Sequence, residues 1–220
     1  MNRREISEAV GPLGWRLVLG AVYGEVLVPS MADAASAASH AVRAAGADAA
    51  RHLSIDIRSD RAVLRLQSRD AGGVTERDLE LAREVSGALA AHGFELTSGI
   101  VSIQALEIAI DALDIPAVRP FWKAVTGYID EPGLSGVNGG LVDPFGRGPA
   151  IWFQQMDSPR PQRNRIHLDI DVTHEAARAR VDAALAAGGR LLSDRRAPAF
   201  WVLADAEGNE ACICTWQGRD

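Results

Sequence analysis

The sequence has no uninterrupted apolar run of about 18 residues, so no membrane span is expected. It has no long basic run either. Acidic residues outnumber basic ones, 29 to 23, and the formal net charge is −6. A nucleic-acid footprint is therefore not expected. No apolar stretch follows Asn2-Arg3-Arg4-Glu5, so no signal peptide is expected. Cysteine is scarce. Cys212 and Cys214 stand near the end of the chain, where a strand is expected to turn them to opposite faces, out of bridging reach. A reducing cytoplasm is the natural compartment for such a chain. What remains is an ordinary globular balance, with 47% hydrophobic and 24% charged residues in a chain of 220. That is enough for one or two domains, each with a core.

In the first half the most specific stretch is Arg69-Asp70-Ala71-Gly72-Gly73-Val74-Thr75-Glu76-Arg77-Asp78. Gly72 and Gly73 admit positive φ, so a strand can reverse there. Thr75 and Asp78 form a T-x-x-D variant of the capping box and start a helix over 75–91. Leu79, Ala82, Val85 and Leu89 give that helix one apolar face. Upstream, 15–28 reads as one or two strands broken near Gly20 and Gly24, and 31–47 as an Ala-rich helix stopping at Gly46. Ile55 and Ile57, then Leu64 and Leu66, alternate with polar residues as two strands of a hairpin turning at Ser59-Asp60. The order β(β)-α-β-β-α predicts an α+β unit with helices on one face of an antiparallel sheet.

Three stretches carry a resemblance: Gly14-Trp15-Arg16, Arg51-His52-Leu53-Ser54-Ile55-Asp56-Ile57, and the run from Asp70 to Asp78. They resemble the pterin-4a-carbinolamine dehydratase family, also called 4a-hydroxytetrahydrobiopterin dehydratase, over roughly 8–95. The resemblance implies a small dehydratase-like α/β sandwich over 1–98 that dehydrates a carbinolamine at C4a of a reduced pterin. That chemistry needs an acid for the departing hydroxyl and a base for a ring proton, tasks that suit histidine. The family pattern places a His-His-Pro run on one strand and a further His before Asp-Ala-Gly-Gly. Here those places hold Arg51, His52, Leu53 and Arg69. Arginine stays protonated and cannot act as a base. The resemblance thus leaves His52 and Asp70 as catalytic candidates, with Asp70 orienting His52 or binding the pterin. The other readings are a half-buried strand histidine and a plain Asx turn. Arg51, Arg69 and Trp15 become substrate-binding candidates, and the two arginines suit an anionic ligand better than a neutral pterin.

The second half follows a short junction at 99–102. A strand at 105–110 leads to Asp114-Ile115-Pro116, with Pro116 placed for a helix's first turn. The helix carries Val118, Phe121, Trp122 and Val125 and stops at Gly127. A Gly-rich hairpin region, the turn Asp143-Pro144-Phe145-Gly146 and a strand at 150–155 complete a first unit. A polar connector over 157–164 leads to the second, with a strand at 165–172, a helix at 174–187, strands at 191–192 and 200–203, the turn Asp205-Ala206-Glu207-Gly208 and a strand at 211–216. The paired turns predict a repeat of about 60 residues, each a β-α-β-β-β module.

Phe121-Trp122, Gly127-Tyr128, Asp143-Pro144, Asn164-Arg165-Ile166-His167-Leu168-Asp169 and Asp205-Ala206-Glu207-Gly208-Asn209-Glu210 resemble the glyoxalase-like branch of the vicinal oxygen chelate superfamily. The resemblance implies a domain over 103–220 whose two βαβββ modules curl into a cup. Metal-dependent members place a ligand on the first and last strand of each module. By that resemblance Glu107 and His167 take the first-strand positions, and Gln154 and Cys212 the closing ones. A divalent metal in this half is the cofactor so implied. The other reading is a metal-free polar cavity wall, with Cys212 as a small buried hydrophobe. Four tryptophans, 122, 152, 201 and 216, are expected in the core or cavity wall.

Three functions stay open on the residues: a dehydratase-like hydro-lyase, a metal-dependent glyoxalase or dioxygenase-type enzyme in the second half, and a non-catalytic protein that binds a small molecule. A homodimer is expected by family analogy.

Overall fold

The structure is a computed structural model and describes residues 1–97, 103–134, 139–159, 166–172, 174–215 and 217–218. The junction at 99–102, Asn164, Arg165 and Trp216 lie outside the described residues. The chain divides into two compact units, Met1–Ala105 and Leu106–Asp220. No helix among the described residues is long and apolar enough to cross a membrane.

The first unit runs α1 (Arg3–Val10), β1 (Arg16–Val18), β2 (Ala21–Leu27), α2 (Met31–Ala45), α3 (Ala49–His52), β3 (Leu53–Ile57), β4 (Arg61–Leu66) and α4 (Glu76–Ala91). The sheet order is β1-β2-β4-β3, antiparallel throughout. Helix α1 is absent from the sequence reading. It is set by a capping box in which the Glu5 N–H donates to Asn2 Oδ1 at 3.0 Å and the Asn2 N–H to Glu5 Oε2 at 2.9 Å. The chain turns between β1 and β2 at Leu19 and Gly20, whereas Gly24 lies within β2. Gly24 serves close packing instead. A Cβ there would come within 3.1 Å of the Trp15 ring and 2.8 Å of Leu96. Alanines 34, 37, 38, 41 and 45 of α2 and Leu79, Leu81, Ala82, Val85 and Leu89 of α4 are buried. They cover Leu64, Leu66, Val22 and Val26 of the sheet, as their 3.6- and 2-residue periods require.

The second unit repeats one topology. The first module has β5 (Glu107–Ala112), α5 (Ile115–Thr126), β6 (Ile129–Asp130), β7 (Leu141–Val142) and β8 (Ala150–Gln155). The second has β9 (Leu168–Asp171), α6 (His174–Ala186), β10 (Arg190–Arg196), β11 (Phe200–Ala204) and β12 (Glu210–Cys214). The sheet orders β5-β8-β7-β6 and β9-β12-β11-β10 correspond strand for strand. In each, the first and last strands pair in parallel. The architecture is therefore α+β, with a vicinal oxygen chelate domain of two βαβββ modules in the second half. The paired aspartates fold their turns alike. Asp143 accepts from the N–H groups of Phe145, Arg147 and Gly148. Asp205 accepts from those of Glu207 and Asn209. Asp205 alone is buried, and the Trp122 indole also donates to it at 3.0 Å. Trp122 is thus core and Trp201 packs half-buried against the same cluster. Trp152 instead leaves 40% of its surface exposed.

Residues two apart in a strand share a face. Cys212 and Cys214 therefore point the same way, level with Asp169 and Asp171 of β9. This corrects the expectation of opposite faces. Neither cysteine is in a disulfide.

Candidate functional site

In the first unit the chain delivers His52 at the end of α3, one residue before the strand that was expected to carry it. The His52 and Arg51 carbonyls accept from the N–H groups of Gln67 and Arg69, at 2.9 and 3.1 Å. These bonds lay the end of α3 along the segment that leaves β4. The loop then folds back through Gly72, at φ +64. It is pinned by the Gln67 side-chain amide, which donates to the carbonyls of Gly20 and Gly72, both at 3.0 Å.

The fold-back places the T-x-x-D cap beneath His52. Asp78 is fully buried. Its Oδ1 stands 2.9 Å from His52 Nδ1. Its Oδ2 accepts from the Thr75 N–H at 2.7 Å, the Thr75 hydroxyl at 2.9 Å and the Ser68 hydroxyl at 2.8 Å. Ser68 Oγ also lies 3.1 Å from His52 Nδ1. An ionised carboxylate only accepts hydrogen bonds, so Nδ1 carries the proton that faces it. Nε2 is then left as the acceptor, the tautomer a general base requires. Once protonated at Nε2, the same ring is an acid.

The structure redistributes the roles expected of the loop. Asp78, and not Asp70, is the carboxylate on His52. Asp70 is exposed and bonded to Arg51, and that hydrogen bond raises the Arg51 pKa above its usual range. The guanidinium of Arg69 has Ser54 Oγ at 3.5 Å. Trp15 is no surface ligand. It is fully buried, and its indole donates to Ser86 Oγ at 2.9 Å. The sequence reading took Asp78 as a helix cap and passed over its second oxygen. A cap three residues into a helix has one oxygen to spare, and that is the signal that would have pointed to His52.

In the second unit, His167 and Asp169 lie two apart at β9, and Asp169 stands level with Cys212 of β12. His167 Nε2 is 3.4 Å from Asp169 Oδ1. One donor atom from each of His167, Asp169 and Cys212 falls within 4.8 Å of the others. A cavity of about 530 Å³ opens on this trio and is also lined by Arg196, Phe200 and Cys214. Burial, and then the hydrogen bond to Asp169, push the Cys212 thiol up to about 12. By itself it is no nucleophile near neutral pH.

Glu107 does not join the trio found among the described residues. In the parallel ladder Glu107 is level with Ala150, and Gln154 with Asp111. Four residues of strand separate those levels, about 13 Å at the usual rise, so one ion cannot bridge the pair. Gln154 lines a separate cavity of about 490 Å³ with Asp111, Gln155 and Met156. Asp169 was missed as a candidate donor. The signal was present in the H-x-D spacing, since the sequence predicts a strand over 165–172 and residues two apart in a strand share a face.

Comparison with known proteins follows the same division. Residues 1–88 match the family Pterin 4 alpha carbinolamine dehydratase, and residues 107–214 match the family Glyoxalase-like domain. No curated protein matches the chain. Among solved structures, the second half is similar to a glyoxalase/bleomycin resistance protein/dioxygenase family enzyme from Burkholderia phytofirmans PsJN. The two are 26% identical over 50% of this chain and 95% of that one, with a TM-score of 0.41. It is also similar to the fosfomycin resistance protein FosX from Listeria monocytogenes, solved with Mn(II) and sulfate. There the identity is 12%, over 53% of this chain and 91% of that one, with a TM-score of 0.40. A glyoxalase-related enzyme from Fulvimarina pelagi is 18% identical over 51% and 88%, with a TM-score of 0.39. The chain thus carries two family matches in succession, to Pterin 4 alpha carbinolamine dehydratase and then to Glyoxalase-like domain.

Proposed function

We propose that the first domain is a hydro-lyase of the 4a-hydroxytetrahydrobiopterin dehydratase type in which His52 is the one proton-transfer group. The observation that carries this reading is the 2.9 Å contact between His52 Nδ1 and the buried Asp78 carboxylate. Loss of water from a carbinolamine moves a proton off the ring nitrogen and onto the departing hydroxyl. The step is neutral overall, so one imidazole in the right tautomer can take the first proton and return it to the oxygen. Arg51 and Arg69 then have no proton-transfer role. Arg51 is occupied by Asp70, and Arg69 is the guanidinium available to a carbonyl or anionic substituent of the pterin-like substrate.

The test is carbinolamine dehydration by the purified protein and by His52→Ala. Turnover that His52→Ala abolishes supports the reading. Binding of reduced pterin without turnover would replace it with a ligand-binding role. For the second domain we propose a small-molecule cup with a divalent metal as its cofactor, held at the His167, Asp169 and Cys212 trio. A homodimer in the cytoplasm completes the proposal, two-fold dimers being the commonest assembly.

A further inference from the structure

The metal proposed for the second domain can be assigned a chemical class from its donors. This inference rests on that cup binding a metal at all. The three donors are an imidazole just before β9, a carboxylate on β9 and a thiol on β12, β9 and β12 being adjacent parallel strands of one module. Their atoms fall within 4.8 Å of one another. Ligands about 2.0–2.3 Å from a tetrahedral ion stand roughly 3.3–3.8 Å apart, so modest side-chain rotation closes the set. His167 and Asp169 are exposed and free to make it, while Cys212 is buried at the floor.

Donor chemistry then selects the ion. Magnesium, calcium and manganese favour all-oxygen sets, whereas thiolate with imidazole suits zinc and its neighbours. Three protein donors fill three of four tetrahedral positions. The cavity that opens on the trio is also lined by Arg196 and Phe200, and a zinc ion held by three protein donors would keep room for an exogenous ligand. We infer that the second module, by itself, is a zinc-class site that binds its ion through His167 Nε2, an Asp169 carboxylate oxygen and Cys212 Sγ. Glu107 and Gln154 of the first module take no part.

Metal binding to the full chain tests this directly. Zn2+, Co2+ and Mn2+ are each titrated by calorimetry after chelator treatment. Cobalt adopts zinc's geometry and reports a thiolate ligand by its charge-transfer absorption in the near ultraviolet. The expected result is one Zn2+ or Co2+ per chain, with that absorption present. Asp169→Asn and Cys212→Ser should each weaken binding roughly 100-fold or more, since loss of even an outer partner of a ligand costs 10–100-fold. Metal-free Cys212→Ser should keep the circular dichroism spectrum and the urea midpoint of the parent protein, which separates a ligand role from damage to the fold. Tight Mn2+ binding with no cobalt–thiolate band would overturn the zinc-class assignment and leave the metal reading of the cup standing. Zinc binding indifferent to Cys212→Ser would do the same. No binding of any of the three ions would overturn both.

Discussion

Asp78→Asn separates a positioned base from a buried structural histidine. Asp78 accepts three donors at Oδ2 and faces His52 Nδ1 with Oδ1. Asparagine offers one oxygen and one NH2 group. The three donors, the Thr75 N–H, the Thr75 hydroxyl and the Ser68 hydroxyl, take the oxygen. The amide NH2 then faces His52 Nδ1, which must give up its proton there in order to accept. The imidazole proton moves to Nε2, and the base becomes a donor. Acid–base catalysis by a positioned group is worth about 100- to 10,000-fold, so kcat should fall at least about 100-fold. Since Asp78 is fully buried and would act on a substrate only through His52, KM should hold. Losing the charge from the hydrogen bonds should cost about 1.5–3 kcal/mol of stability. Stopped-flow dehydration and urea unfolding read the two effects separately. A folded Asp78→Asn protein with undiminished kcat would refute the base assignment.

Other outcomes follow from the same structure. Trp15→Phe should lower stability by about 1–3 kcal/mol, through a lost buried hydrogen bond and lost packing. It should leave the KM for a pterin unchanged, and a raised KM would return Trp15 to the ligand site. Asp205→Ala strands the Trp122 indole and two turn N–H groups, and should cost about 3 kcal/mol or more in chemical denaturation. The matching Asp143→Ala, in a solvated turn, should cost about 1 kcal/mol; equal losses would contradict the burial argument. His40 stacks on His92 with ring centroids 3.6 Å apart. Burial first, then the charges of His92 and Arg43, hold its pKa below the ordinary imidazole value. Protonation therefore favours the unfolded chain. Tm should be highest above about pH 6.5 and fall as acid carries the pH through the lowered folded value. His92→Gln should shrink that fall, and an unchanged profile would remove the pair from the account.

The turn at Gly72 and the cap at Thr75 show where local reading succeeds. Glycine's freedom and a side chain three residues away are facts of neighbouring chain, so the helix 75–91 needs nothing distant to start it. The hairpin of β3 and β4 and the two modules were legible for the same reason, through alternation and repeated Asp turns. Helix α1 was missed because it is short and its capping box uses Asn2 in place of the Ser or Thr that the pattern usually shows.

The candidate sites divide differently. The sequence by itself pointed to two units, the family resemblance of each, and His52 and His167 as candidates. Each follows from residue identity and spacing along one stretch of chain. Only the tertiary structure decided the partners. His52 and Asp78 lie 26 positions apart in the chain and meet because the end of α3 runs beside the segment leaving β4. Asp169 and Cys212 meet through the parallel pairing of β9 with β12. The same kind of ladder in the first module holds Glu107 and Gln154 apart. Strand register is a relation between distant stretches, set by which faces must be buried together, and no local pattern carries it.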